Sequence, residues 1–145
     1  MTSVFDVAKY ILKKTGPISA MKLQKLVYYS QAWAVVWDDK PIFNEKIEAW
    51  SNGPVVRELY DEHQGVFIVT DNTFQAGNPE NIKERHKETI NAIIKAFGKK
   101  SAQWLSDQTH SERPWLDARK GLDDTERGNH EIPLSAMSEY YGSLR

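Results

Sequence analysis

Three ionisable residues close together, Asp107, His110 and Glu112, are the first place to look for chemistry in this chain. Asp107 and His110 are three positions apart and would share one face of a helix, where a carboxylate and an imidazole can form an acid-base pair. One histidine with two carboxylates and no second clustered histidine is a poor zinc signature, however. The simpler reading is that Thr109, His110 and Glu112 finish a helix and hydrogen-bond backbone groups around the break at Pro114. His63 beside Asp61 and Glu62 is read the same way. The chain has no cysteine, which excludes thiolate metal sites, disulfides and cysteine nucleophiles. It also lacks a phosphate-binding glycine loop, a nucleophile elbow and a metalloprotease motif. No catalytic residue, metal or cofactor is therefore expected.

The aromatic and basic residues raise two binding chemistries. Five tryptophans and six tyrosines could stack on nucleobases. Trp33, Trp37 and Trp104 fall on apolar stripes and are assigned to the core. Trp50 and Trp115 each stand beside a turn or a proline, where an indole either seals the core edge or anchors a partner. Lys9, Lys13, Lys14, Lys22 and Lys25 on the first two helices allow a helix-turn-helix reading, but the second helix is too apolar to offer a groove-reading face. Charge points the same way. Residues 1 to 37 carry a balance of +4, residues 38 to 84 of −6 and residues 85 to 145 of +1, within a net charge of −1. An acidic middle suits a basic partner better than nucleic acid.

At 145 residues the chain is the size of one domain, taken as residues 1–145. Its fold is predicted as mainly α: a compact helical bundle around a central buried helix, with a small two-stranded β ribbon. Ser3 caps a first helix, with Asp6 completing a capping box; Val4, Val7, Ala8, Ile11 and Leu12 form its buried stripe, and Gly16-Pro17 ends it. The second helix, from about Ser19 to Trp37, is apolar nearly all round and so central. Ile47–Trp50 alternates as a strand, Ser51-Asn52-Gly53 turns the chain, and Pro54 opens a helix that buries Val55, Val56, Leu59 and Tyr60. Arg57, Glu58, Asp61 and Glu62 are its wet side. Residues 66–70, Val-Phe-Ile-Val-Thr, are the expected strand partner of Ile47–Trp50. Further helices are predicted from Asn78-Pro79-Glu80 to Phe97, from Ser101 to the Arg113-Pro114 break and from Ser135 to Ser143, with a polar, mobile segment over 122–131. The opening Met-Thr-Ser-Val-Phe-Asp is not a secretory leader, and no run approaches the roughly 20 apolar residues of a membrane span. A cytoplasmic protein is expected.

The motifs, taken in order, resemble the Panacea domain family, also described as SocA-like antitoxins and common in phages and bacterial defence loci. The residues concerned are Met21-Lys22-Leu23-Gln24-Lys25-Leu26-Val27-Tyr28-Tyr29-Ser30-Gln31-Ala32-Trp33, Ile47-Glu48-Ala49-Trp50, Gly53-Pro54-Val55-Val56 with Tyr60, and Thr109-His110 with Pro114-Trp115. The likeness runs from Val4 to Tyr141. It implies a mostly helical domain without enzymatic activity that neutralises a cognate protein toxin, encoded by a neighbouring gene, by direct binding. An adaptor that delivers the toxin to a protease is the alternative, and a small DNA-binding regulator a weaker one. Within the motifs, Lys22, Leu23, Gln24, Tyr28, Trp33, Gly53, Pro54, Val55, Tyr60, Thr109, His110 and Pro114 are assigned to scaffold. Trp50, Arg57, Glu58, Asp61, Glu62 and Trp115 are the expected partner contacts, with the acidic side of the helix facing a basic toxin.

Overall fold

The near-continuous apolar surface of the second helix dictates the architecture. In the computed structural model, which describes residues 2–144, this helix is α2 (Ala20–Trp37), and only its first and last turns reach the surface. Ser19 caps it, its Oγ accepting from the Lys22 N–H at 3.1 Å. Around α2 are packed α1 (Val4–Thr15), α4 (Glu84–Phe97), α5 (Ala102–His110) and α7 (Leu134–Leu144). Two short helices, α3 (Arg57–His63) and α6 (Arg113–Ala118), complete seven among the described residues. The capping box predicted for α1 is present, with Asp6 Oδ2 accepting from Ser3 N at 2.8 Å. Val4, Val7, Ala8, Ile11 and Leu12 are all buried. The molecule is thus mainly α around a central buried helix.

The β structure differs from expectation. Ile47–Trp50 (β2) does not pair with residues 66–70. It pairs antiparallel with Gly53–Val56 (β3), in the register Ile47↔Val56 to Trp50↔Gly53. Only Ser51 and Asn52 separate the strands, so this hairpin closes at far lower chain-entropy cost than a pairing across Gly65. Val55 and Val56 are β-branched and fit the pleat better than a first helical turn. Pro54 is therefore a strand residue, and α3 begins only at Arg57. Of residues 66–70, only Ile68–Val69 (β4) forms a strand, antiparallel to Ile18–Ser19 (β1) at the entry to α2.

Two other boundaries move. Asn78 caps Pro79–Asn81 as a single 3-10 turn instead of starting α4, because Ile82 goes extended into the core and the helix restarts after Lys83. The polar segment expected to be mobile is fastened to the body. Ala49 N donates to His130 O and Ile132 N to Ile47 O, both at 2.8 Å, closing the outer edge of β2. Buried Arg119 donates from Nη1 to Ala49 O at 3.1 Å and from Nη2 to the carbonyls of Asp123 and Glu126.

Candidate functional site

The other edge of the hairpin is closed by side chains of α2. Gln24 does what a neighbouring strand would do: its Oε1 accepts from Val56 N at 2.9 Å and its Nε2 donates to Val56 O at 3.2 Å. The same Nε2 lies 3.0 Å from His63 Nε2. With the amide oriented by Val56, that contact requires His63 Nε2 to accept, so the imidazole is neutral with its proton on Nδ1. Burial, reinforced by nearby Lys25, holds the His63 pKa below the ordinary range and favours that state.

Lys25, the next residue, is fully buried. Its ammonium donates to Pro54 O at 3.2 Å and touches Met21 Sδ at 3.5 Å, with no carboxylate bound to it among the described residues. Burial alone brings its pKa down to about 7. The strand's alignment against this side chain requires glycine at 53. Gly53 has φ +119°, and a Cβ there would lie 2.4 Å from Lys25 Cε and 3.0 Å from Thr109 Oγ1. Thr109 donates to Ser106 O, and Ser106 to Asn52 O, tying α5 to the turn.

The acid, base and imidazole of the 107–112 segment do not converge. Asp107 accepts from Gln103 at 2.9 Å, and His110 stacks on Trp115 with ring centres 4.1 Å apart. Glu112 is not a helix-end ligand for backbone. Its Oε1 accepts from the hydroxyls of Tyr29 (2.8 Å) and Tyr141 (2.7 Å), and its Oε2 from Gln108 (3.2 Å). Burial raises its pKa, and the two tyrosines and Gln108 oppose that shift. This carboxylate joins α2, α5 and α7 in the interior and lines neither groove described below.

Two open grooves meet at a wall made by Trp50 and Tyr60, whose rings pack edge-on with centres 4.8 Å apart. The first, about 440 Å³, is apolar and lined by Met21, Val55, Val66 and Phe67, with Gln24 and His63 also at its surface. Phe67 is 78% exposed, and Val66 and Ile68 are exposed beside it. Such a run of apolar side chains in water marks an interaction site more often than chance. The second, about 590 Å³, is polar and lined by Ser51, Arg57, Gln64, Arg127 and Asn129. Positions 57, 60 and 64 fall on one face of α3 and its end, which is why Arg57, Tyr60 and Gln64 reach it together. Trp50 is fixed between them: its indole donates to Glu48 Oε1 at 2.8 Å, and the Arg57 guanidinium lies 5.1 Å from its ring centre.

The expected contact residues divide accordingly. Trp50 and Arg57 line the grooves. Glu58, Asp61 and Glu62 are exposed but line neither. Trp115 is 2% exposed and donates to Trp50 O at 2.8 Å, so it has no face for a partner; its role is to hold the hairpin turn. Among the motif residues, Leu23 and Tyr28 are buried, Lys22 reaches Gly98 O, Tyr28 meets the Tyr141 hydroxyl, and Trp33 packs on Tyr141. Pro114 sits in the first turn of α6. Two tryptophans assigned to the core are surface residues, Trp37 at 46% and Trp104 at 39% exposure. Sequence reasoning missed Phe67, because a β-prone run reads as a strand to be covered, and it missed buried Lys25. The signal for Lys25 was present: a helix apolar nearly all round leaves no wet face for a lysine in its middle.

A mostly helical module whose buried polar groups fasten its own backbone, and which turns an aromatic-walled groove outward, has the build of a binding domain. The chain belongs to the family of SocA-like antitoxins with the Panacea domain, whose model matches residues 23–116. That stretch contains most of α2 together with the hairpin, α3 and α5, and it includes Gln24, which closes the edge of β3. Neither the curated proteins nor the solved structures include a match to this chain.

Proposed function

We propose that this protein is the antitoxin of a toxin–antitoxin pair and neutralises a protein toxin by binding it directly through the face around Trp50, Tyr60 and Phe67. The observation that carries the reading is the exposed Val66–Ile68 segment bordering the apolar groove, within a chain whose family is described as antitoxin. Burying a phenylalanine that stands 78% exposed contributes about 2 kcal/mol at an interface, enough to make it an anchor. No chemistry is assigned to Lys25, His63 and Glu112, since each is occupied with internal partners. The protein acts as a binding module and not as an enzyme.

The direct test is co-expression with the product of the adjacent gene in cells that the product alone arrests. Restored growth, with the two proteins recovered as a complex and the toxin level unchanged, is the expected result. Restored growth with the toxin vanishing only when a cytoplasmic protease is present would assign the adaptor role instead. A neighbouring product that is harmless alone, or still toxic with this protein in excess, would contradict the reading.

A further inference from the structure

The two grooves differ in chemistry, and the difference specifies the partner more narrowly than charge composition does. On one side of the Trp50–Tyr60 wall, the lining offers Met21, Val55, Val66 and Phe67, which favour an apolar side chain. On the other side stand two arginines, Arg57 and Arg127, with the amides of Gln64 and Asn129. Arg57 uses its Nε on Glu48, at 3.3 Å, and its terminal nitrogens make no hydrogen bond among the described residues. Arg127 makes neither a hydrogen bond nor an ion pair among them. The acidic side chains of α3, Glu58, Asp61 and Glu62, line neither groove, so the electrostatic character inside the second groove is opposite to that of the segment carrying it.

We infer that the two grooves take one extended segment of the toxin, an apolar side chain seated against Met21, Val55 and Phe67, and an acidic side chain or C-terminal carboxylate a few residues away against Arg57 and Arg127. This rests on the antitoxin reading above and reverses the charge first expected of the contact: the partner segment is acidic, not basic. An extended chain advances about 3.3 Å per residue, so a segment of a few residues crosses the wall shared by both grooves. A guanidinium pair recognises a carboxylate by charge-assisted, bidentate hydrogen bonds, and Trp50 and Tyr60 supply rigid aromatic area between the two anchor points.

The test measures binding of the purified toxin by calorimetry to the wild-type protein, to an Arg57→Glu/Arg127→Glu variant and to a Glu58→Lys/Asp61→Lys/Glu62→Lys variant. All five substituted side chains are exposed, and unchanged melting temperatures check the folds. The arginine variant is expected to lose at least tenfold in affinity and the lysine variant less than threefold. Among overlapping 12-residue peptides of the toxin, the binding ones are expected to pair an apolar residue with an acid or the C-terminus. The inference is overturned if the lysine variant is the one that loses affinity, if the arginine variant binds as wild type, or if a single-stranded oligonucleotide displaces the toxin competitively. A toxin that does not bind the wild-type protein overturns the antitoxin reading itself, and this inference with it, whereas binding that ignores both arginines removes only the inference.

Discussion

Lys25 lies in the interior with no counterion among the described residues. Lys25 titrates at about 7 in the folded state against 10.5 when exposed. Below pH 7 its charge is buried, a cost of about 5 kcal/mol at 1.36 kcal/mol per pH unit. Between about 7 and 10.5 the unfolded chain holds a proton that the folded chain has released, so the linkage makes stability rise with pH across that window. Lys25→Met is expected to remove this rise, flattening the stability curve by up to about 1.4 kcal/mol per pH unit in urea denaturation at pH 7 to 10. At pH 7 it should also stabilise by about 2 kcal/mol, because the relieved charge outweighs the stranded Pro54 carbonyl, which costs about 1–3 kcal/mol. An unaltered pH slope would show that Lys25 is not neutral at high pH in the native protein. Gly53→Ala tests the same contact from the other side. The added Cβ would lie 2.4 Å from Lys25 Cε, so the lysine must shift, at a φ that disfavours any side chain. A loss of about 3 kcal/mol is expected in the same assay.

At the scale of elements, the β2–β3 hairpin is held on both edges by groups from outside any sheet. Residues 130–132 close β2, and Gln24 closes β3. Gln24→Leu keeps the volume but strands the N–H and C=O of Val56 and the acceptor nitrogen of His63, each costing about 1–3 kcal/mol when buried. The expected outcome is faster amide exchange at Val56 and Leu59, with α4 and α7 exchanging as before. Uniformly faster exchange would mean that the hairpin and helices open together. These edges also show what the sequence could and could not convey. The helices were legible, because α1, α2 and α5 carry local serine caps and apolar patterns that agree with their packing. Strand pairing was not, since Val55-Val56 and Val66–Val69 are both β-prone and Pro54 after the turn reads as the start of a helix. The choice was made by a two-residue turn and by one glutamine 32 positions upstream of Val56. Site residues divided along the same line. Trp50 follows from its place beside a turn and Arg57 from the wet side of its helix, whereas Phe67 at the surface and Trp115 in the interior depend on which elements happen to cover them.

The whole molecule combines a rigid interior with an apolar edge left in water. Buried polar groups tie α2 to the hairpin through Gln24 and Lys25, and to α5 and α7 through the Tyr29–Glu112–Tyr141 cluster. Among the described residues no helix is long and apolar enough to cross a membrane, so the exposed Val66–Ile68 edge is not part of a spanning helix. A rigid body offering a preformed groove loses little conformational entropy on binding, which favours tight association with a surface of modest area. The most direct test is growth rescue by Phe67→Asp under co-expression with the toxin. The residue is exposed in the free protein, so its melting temperature should stay within about 2 °C of wild type. If the toxin docks on the Phe67 face, this folded variant fails to restore growth and no longer recovers the toxin as a complex. Full rescue by Phe67→Asp, at wild-type expression, would contradict it and place the toxin on another face.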